Sequence, residues 1–164
     1  YSETAPGVDK RRPLDETKKS ANTIDGRYGE TVTAVVEGLE REIDEIDGVI
    51  STSGRKTFFA GGDLRVLRKA RKDDGPQFLA GVTEIKGQLR ALETLGKPVV
   101  AAMNGTALGG GLEIALACYH RVAINDKSAQ FGLPEVSLGL LPGGGGVTRI
   151  VRMLGIQAVS YTHL

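Results

Sequence analysis

The chain is poor in the features that mark secreted and membrane-spanning proteins. Its 164 residues include one cysteine, no tryptophan and only 5% aromatic residues. Because Cys118 has no second cysteine to pair with, an internal disulfide is excluded, and a reducing, cytoplasmic location is expected. No apolar run approaches the roughly 20 residues that a membrane-spanning helix needs, so we expect no membrane span.

The chain also lacks an excess of charge of either sign. Its 21 basic and 20 acidic residues give a net charge of +1, which provides no argument for binding to nucleic acid or to a membrane surface. The first 20 residues are polar and charged, with no apolar core, so they are not expected to act as a signal peptide. We interpret residues 1–20 as an atypical or disordered N-terminal segment.

Glycine, in contrast, is abundant, and its distribution is informative. The 23 glycines concentrate in short stretches between apolar segments, as turn residues do. Three stretches stand out: FFAGGDL (58–64), NGTALGGGLEIALA (104–117) and FGLPEVSLGLLPGGGG (131–146). The last two carry Glu113 and Glu135. Two carboxyl groups can share a water molecule, and glycine turns can expose backbone N–H groups to a developing oxyanion. The pattern therefore indicates chemistry next to a carbonyl group.

Hydrophobic spacing predicts alternating helices and strands. Apolar residues three and four positions apart predict amphipathic helices over 31–46 and 78–92, and Asp63 is expected to cap a short helix. Apolar runs predict three strands, at 49–52, 99–103 and 121–124. An alanine-rich helix is expected at 112–118. This alternation indicates an α/β architecture, with no repeat at a fixed period.

The three glycine-rich motifs resemble those of the enoyl-CoA hydratase/isomerase (crotonase) superfamily. The resemblance runs from about residue 20 to about residue 157 and keeps the motifs in the family's order. The segments SANT (20–23), LLPGGGG (140–146) and RMLGIQ (152–157) most resemble the hydratase domain of bacterial multifunctional β-oxidation proteins. In those proteins a 3-hydroxyacyl-CoA dehydrogenase domain follows. The resemblance implies a crotonase-like spiral of ββα units, with a partial hydratase domain at 21–158.

The resemblance also implies an activity and a site. The activity is hydration of trans-2-enoyl-CoA to 3-hydroxyacyl-CoA in fatty-acid β-oxidation. Glu113 and Glu135 would hold and add the water, while the backbone N–H groups of Gly62 and Gly110 would form the oxyanion hole. Acyl-CoA contacts are implied at Ala60, Asp63, Leu64, Gly109, Pro134 and Gly143. No metal and no separate cofactor are implied, since the thioester activates the double bond and coenzyme A is part of the substrate.

The two ends of the chain depart from the family pattern. Family members open with a strand pair and continue into further helices after the last motif, and neither feature is recognisable in residues 1–20 or 159–164. We therefore expect a domain truncated at both ends, with 159–164 as an atypical tail. Loss of the C-terminal helices would expose apolar surface and open the site to solvent. The resemblance implies a homo-oligomer or a β-oxidation complex in the full-length parent.

Simpler interpretations of the same residues stay open. Glu113 is also typical of a helix first turn, Glu135 of a loop ion pair, and Cys118 of a small buried apolar residue. The run 143–146 has no following Lys at the Walker position, so close backbone approach and a helix start are expected there. The basic residues in 65–72 form a solvated helix face or contact phosphates of coenzyme A.

Three rival functions also stay open at this point. The chain could be an inactive acyl-CoA-binding or subunit-packing fragment, which the missing ends favour. It could instead be an enoyl-CoA isomerase or a thioester hydrolase built on the same fold. Retention of both Glu113 and Glu135 favours the hydratase.

Overall fold

The computed structural model describes residues 22–24 and 26–157. The segments predicted to be atypical, 1–20 and 159–164, lie outside the described residues. The helices α1 to α5 span Gly26–Arg41, Leu64–Leu67, Gly75–Glu93, Gly110–Leu116 and Gly146–Leu154. The strands β1 to β5 span Val49–Ser51, Val99–Met103, Ala107–Leu108, His120–Ala123 and Phe131–Gly132. Short 3-10 helices occupy Ile43–Glu45, Lys72–Asp74 and Pro134–Leu138.

The strands form two small parallel sheets. The first sheet has the order β1-β2-β4, with Ala101 of β2 opposite Ser51 on one side and Arg121 on the other. The second sheet pairs β3 with β5. Since parallel neighbours need long crossovers, helices connect the strands, as the alternating pattern predicted.

Two isolated bridges extend the second sheet and bring the glycine-rich motifs side by side. Phe59 pairs with Ala107 of β3, and Ile24 pairs with Gly62. The backbone of the first motif therefore lies between Ile24 and the second motif, while β5 carries the third motif on the other side of β3. The second sheet and its two bridges, more than the first sheet, position the candidate site.

The core lies between β2, α3 and α4. Alternate residues of β2 are buried, Val99, Ala101 and Met103, as for a strand with one face on a helix layer. Helix α4 is buried from Gly111 to Leu116. Its small residues let neighbouring backbones approach closely, which the candidate site depends on.

Helix α1 is fastened to α3 by a buried amide. The Nε2 group of Gln88 donates to the carbonyl oxygen of Gly29 and to Oγ1 of Thr33, both at 2.9 Å. A buried polar side chain must find partners, so this contact fixes how the two helices are placed along each other.

Element boundaries differ from the predicted ones for physical reasons. Helix α1 begins at Gly26 and ends at Arg41, whereas the periodicity extended it to Ile46. Ile43 still packs against the core, but from a 3-10 helix, because apolar spacing reports burial and not the hydrogen-bond pattern. Helix α4 begins at Gly110, not Leu112, and ends at Leu116, where the bonds tighten to the 3-10 type before Cys118.

Large apolar side chains are exposed in the part of the chain after β5. Leu141, Leu154 and Ile156 each keep more than two thirds of their surface accessible, at 81%, 72% and 76%. Among the residues the structure describes, no helix is both long and apolar enough to cross a bilayer.

Candidate active site

The start of α4 is built from glycines because another backbone passes against it. Gly109 has a φ of +54°, which side-chain-bearing residues rarely adopt. A Cβ atom on Gly111 would overlap the carbonyl oxygen of Phe59. Gly110 is the first helical residue, so its N–H has no acceptor within the helix. The glycines therefore let the helix begin directly on the 59–62 turn with an N–H group exposed.

The 59–62 turn presents a second N–H group. The N–H of Ile24 donates to the carbonyl oxygen of Gly61 at 2.9 Å, and the N–H of Asp63 donates to the carbonyl oxygen of Ile24 at 3.1 Å. These two bonds flank Gly62, so its own N–H points away from Ile24. Within residues 22–24 and 26–157, the N–H groups of Gly62 and Gly110 donate to no acceptor.

The two N–H groups belong to turns in direct contact. Gly61 has a φ of +83°, and a Cβ atom there would lie 2.8 Å from the carbonyl oxygen of Leu108 and 3.5 Å from the nitrogen of Gly110. Two unpaired donors on adjoining turns can both bind one oxygen atom that carries developing negative charge. That Gly62 and Gly110 together form an oxyanion hole stays a prediction.

Glu113 lies one turn into α4 and is held by the glycine-rich loop before α5. Its carboxylate is buried, with 4% of the residue exposed. The N–H of Gly144 donates to Oε2 at 2.9 Å, and the N–H of Gly146 donates to Oε1 at 2.8 Å. Gly146 is the first residue of α5, and a helix N-terminus favours a negative charge. The carboxylate is thus oriented at both oxygens.

Glu135 approaches the same helix from a loop. It is the second residue of the 3-10 helix Pro134–Leu138, which follows the fully buried Leu133. A Cβ atom on Gly109 would lie 2.8 Å from Oε1 of Glu135, so that carboxylate touches the turn that begins α4. Glu135 therefore touches the turn that begins α4, while the Glu113 carboxylate, which projects from α4, lies against the start of α5.

Comparison with known proteins decides the family. The model of the enoyl-CoA hydratase/isomerase family matches residues 15–164. The chain belongs to this family. It is 39% identical over 146 residues to the fatty acid oxidation complex subunit alpha of Aliivibrio fischeri, covering 87% of this chain and 21% of that protein. It is 41% identical over 145 residues to the protein of the same name from Shewanella loihica, covering 87% and 20%.

Solved structures confirm the crotonase-like fold. An enoyl-CoA hydratase from Bacillus anthracis superimposes with a TM-score of 0.77 at 33% sequence identity, over 87% of this chain and 54% of that one. The chain thus spans about half the length of that solved relative and about a fifth of the length of the curated relatives. The α/β class and the crotonase-like architecture predicted from the motifs are confirmed.

The remaining candidate residues of this family member surround the 59–64 turn. Asp63 caps α2, as predicted, by accepting from the N–H of Arg65 at 2.9 Å. Its carboxylate also pairs with the Arg65 guanidinium at 2.8 Å, which orients the first cation of the basic run. Ala60 and Leu64 are exposed beside it. Ala60 and Leu64 are accessible to a ligand, whereas the Asp63 side chain is only 9% exposed. A role of these residues in binding acyl-CoA stays a prediction.

The other two substrate candidates lie in the segment that carries Glu135 and in the loop that holds Glu113. Pro134 begins the 3-10 helix that carries Glu135. Gly143 begins the loop that holds Glu113, and a Cβ atom there would lie 3.5 Å from Cγ1 of Val82 in α3. The expectation that 143–146 serves close backbone approach and a helix start is confirmed, since α5 begins at Gly146.

Sequence reasoning missed Arg149. Its Nε donates to Oε1 of Glu93 and its Nη1 donates to the carbonyl oxygen of Gly144, both at 2.6 Å. Burial raises the pKa of Glu93, but the hydrogen bonds and positive charges of Arg149 and Arg90 outweigh it and hold that pKa below its usual value. No local pattern links Arg149 to a glutamate 56 positions away, so this contact could not be predicted from spacing along the chain.

Cys118 is a small buried residue, as the sequence predicted. Its thiol is buried and donates to the carbonyl oxygen of Ile114 at 3.4 Å. Burial raises its pKa to about 11, although the charge of Arg121 acts in the opposite direction. A thiol with so high a pKa is not a nucleophile near neutral pH.

Proposed function

We propose that this chain carries the site of an enoyl-CoA hydratase that adds water to trans-2-enoyl-CoA and yields 3-hydroxyacyl-CoA in fatty-acid β-oxidation. The observation that carries the proposal is the pair of N–H groups, on Gly62 and Gly110, that have no acceptor among the described residues, next to the helix that carries Glu113 and the turn that Glu135 contacts. Membership of the enoyl-CoA hydratase/isomerase family supports it. So does the name of the fatty acid oxidation relatives.

In this proposal the two N–H groups bind the thioester oxygen. As water attacks the β-carbon, the electron pair of the double bond moves towards that oxygen and forms an enolate. Hydrogen bonds from Gly62 and Gly110 stabilise the enolate more than the neutral thioester, because they are charge-assisted only in the former. Each such donor is worth about 3–4 kcal/mol of barrier in enzymes where one was removed.

The two glutamates would then divide the proton transfers. Water lies between the carboxyl groups of Glu113 and Glu135, and one of them accepts its proton as the oxygen bonds to the β-carbon. The other delivers a proton to the α-carbon, so the enolate collapses to the thioester and the atoms of one water are added on one face. Positioned general acids and bases typically contribute about 10²–10⁴-fold each.

The wider assignment follows from the same proposal. The acyl-CoA would contact Ala60, Asp63, Leu64, Gly109, Pro134 and Gly143. Neither a metal ion nor a redox cofactor takes part, since the thioester supplies the activation. The hydratase domain would occupy 21–158 of a cytoplasmic, multifunctional β-oxidation protein that works as a homo-oligomer or within a complex.

Loss of the conjugated enoyl-thioester absorbance with crotonyl-CoA tests the function directly. The chain and its Glu113→Gln and Glu135→Gln variants are compared at equal folded concentration. Glu-dependent loss of absorbance, with 3-hydroxybutyryl-CoA as the product, supports the proposal. A folded, inactive chain that still binds crotonyl-CoA would instead make it an acyl-CoA-binding fragment, and a double variant with undiminished turnover would overturn the assignment of the glutamates.

Isomerisation is the second candidate, and one observation favours it. Both oxygens of Glu113 accept backbone N–H bonds, so that carboxylate also has a structural role, and Glu135 would be the proton carrier. One carboxylate is enough to move a proton between two carbons of an enoyl-CoA. Incubation with a 3-enoyl-CoA distinguishes the two, because an isomerase yields 2-enoyl-CoA without taking up solvent oxygen from ¹⁸O-labelled water.

A further inference from the structure

The loop that holds Glu113 is itself held by one side chain. Arg149 donates from Nη1 to the carbonyl oxygen of Gly144, whose N–H donates to Glu113. Its backbone N–H donates to the carbonyl oxygen of Gly145 at 3.1 Å. The same guanidinium donates from Nε to Glu93 at the end of α3. Arg149 therefore connects α3, the loop and α5 at the point where the loop meets the carboxylate.

The Arg149 guanidinium also contacts the glycine at the centre of the loop. Gly145 lies between the two residues that donate to Glu113, and its φ is +92°. A Cβ atom on Gly145 would lie 2.8 Å from Nη1 of Arg149, so the guanidinium packs directly on the backbone there. Only 14% of the Arg149 side chain is accessible to solvent. A planar fork with two fixed bonds at this position defines the peptide orientation of Gly144.

We propose that Arg149, anchored by Glu93, is a positioning residue that sets the direction of the Gly144 and Gly146 N–H groups and thereby the orientation of the Glu113 carboxylate. The effect on turnover rests on the hydratase function proposed above, while the effect on the loop does not. Displacing a reacting group by about 1 Å can cost about 100-fold in rate, so a rotated carboxylate would be visible in kcat.

Arg90 provides a matched control. It pairs with the same Glu93 carboxylate, at 3.3 Å, but its side chain is 70% exposed. Within the part of the chain that the structure describes, its side chain makes no hydrogen bond to the loop. Arg149→Gln and Arg90→Gln therefore each remove one cation from Glu93, and only the first removes the bond to Gly144. An exposed ion pair contributes little, so Arg90→Gln isolates the loss of charge alone.

Steady-state hydration of crotonyl-CoA tests the positioning role. We expect Arg149→Gln to lower kcat about 10–100-fold with KM changed less than about threefold, and Arg90→Gln to leave both within about twofold. In a Glu113→Gln background the Arg149→Gln change should lower kcat no further, because the group it positions is already lost. An equal fall in that background, or equal falls in the two arginine variants, overturns the inference. Arg149→Lys keeps the positive charge but lacks the planar guanidinium, so its kcat should lie between those of the parent chain and Arg149→Gln.

Amide hydrogen exchange separates this inference from the proposed function. Exchange of the Gly144 and Gly146 N–H groups, followed by NMR, should be about tenfold faster or more in Arg149→Gln and unchanged in Arg90→Gln. If exchange responds in this way but the parent chain hydrates no crotonyl-CoA, the positioning role stands and the hydratase function fails. If the parent chain is active and exchange is the same in both variants, the positioning role fails.

Discussion

The two glutamates reach the same helix start from regions of opposite character. Glu113 projects from a helix that is buried from Gly111 to Leu116, and its carboxylate is fixed by two backbone N–H groups. Glu135 sits in a 3-10 helix with no fully buried residue, next to the exposed Val136 and Leu138. One carboxylate is set by the core, and the other by a short surface element.

This difference concerns how firmly each carboxylate is held. A carboxylate held at both oxygens is pre-organised and has little orientation left to lose when substrate binds. Glu135 is carried by a short surface element, although its Oε2 atom is itself buried. Removing either one should stop the chemistry, but only Glu113 is also part of the structural framework.

The largest expected effect is a loss of activity in both glutamate variants, accompanied by a larger loss of stability in one of them. Glu113→Gln and Glu135→Gln should each lower kcat for crotonyl-CoA hydration by about 10²–10⁴-fold. Glu113→Gln should also cost about 1–3 kcal/mol in the free energy of unfolding, because its amide group turns a donor towards one of the two backbone donors. Urea titration of both variants measures the difference.

The outcome for Glu135→Gln is the control. Its unfolding free energy should fall by less than that of Glu113→Gln, because the 3-10 helix that carries Glu135 has no buried residue. Equal stability losses in the two variants would contradict the comparison between the regions.

Thiol labelling offers the next contrast. Cys118 follows α4 and is buried with a raised pKa, whereas Ser137 lies exposed in the 3-10 helix beside Glu135. We expect Cys118 in the native chain to react at pH 7.5 roughly 100-fold slower than the cysteine introduced by Ser137→Cys, since it must wait for local opening. In urea the two rates should converge. Fast labelling of Cys118 in the native chain would show that the end of α4 opens as readily as the 3-10 helix beside Glu135.

The sequence reveals much of the site because its motifs combine local chemistry with fixed order. Asp63 as a helix cap and the unbroken strand 99–103 follow from local patterns, and the structure contains both. The placement of Glu113 on a helix after GGG follows in the same way. In contrast, the bonds from Gly144 and Gly146 to Glu113 join residues more than 30 positions apart, and Arg149 reaches Glu93 across α5 and α3. Tertiary packing alone determines such contacts, so spacing along the chain could not predict them.

Adding one methyl group to the loop should disturb the Glu113 region selectively. In Gly146→Ala the new Cβ would lie 2.8 Å from Cγ of Glu113 and 3.0 Å from Cδ1 of Leu133, too close for either atom. We expect a loss of about 1–3 kcal/mol in unfolding free energy and a fall in kcat. Gly143→Ala, three residues earlier, would make an ordinary contact of 3.5 Å with Val82 and should stay within about 0.5 kcal/mol. Similar losses of unfolding free energy in both variants would mean that any substitution in the loop is destabilising, whether or not it disturbs the contact with the Glu113 carboxylate.

The smallest expected effect has the opposite sign and separates stability from site geometry. Gly87 is exposed in the interior of α3, and a Cβ atom there would meet nothing within 4 Å. Gly87→Ala should therefore raise the free energy of unfolding by about 0.5–1 kcal/mol, because alanine loses less backbone entropy in a helix. Thermal unfolding measures the gain, and kcat should not change, since α3 contributes no group to the proposed chemistry. If kcat rises with stability in this variant, the losses expected at Glu113 and Gly146 reflect the folded fraction of the chain, and the contrast between the two glutamate regions would have to be abandoned.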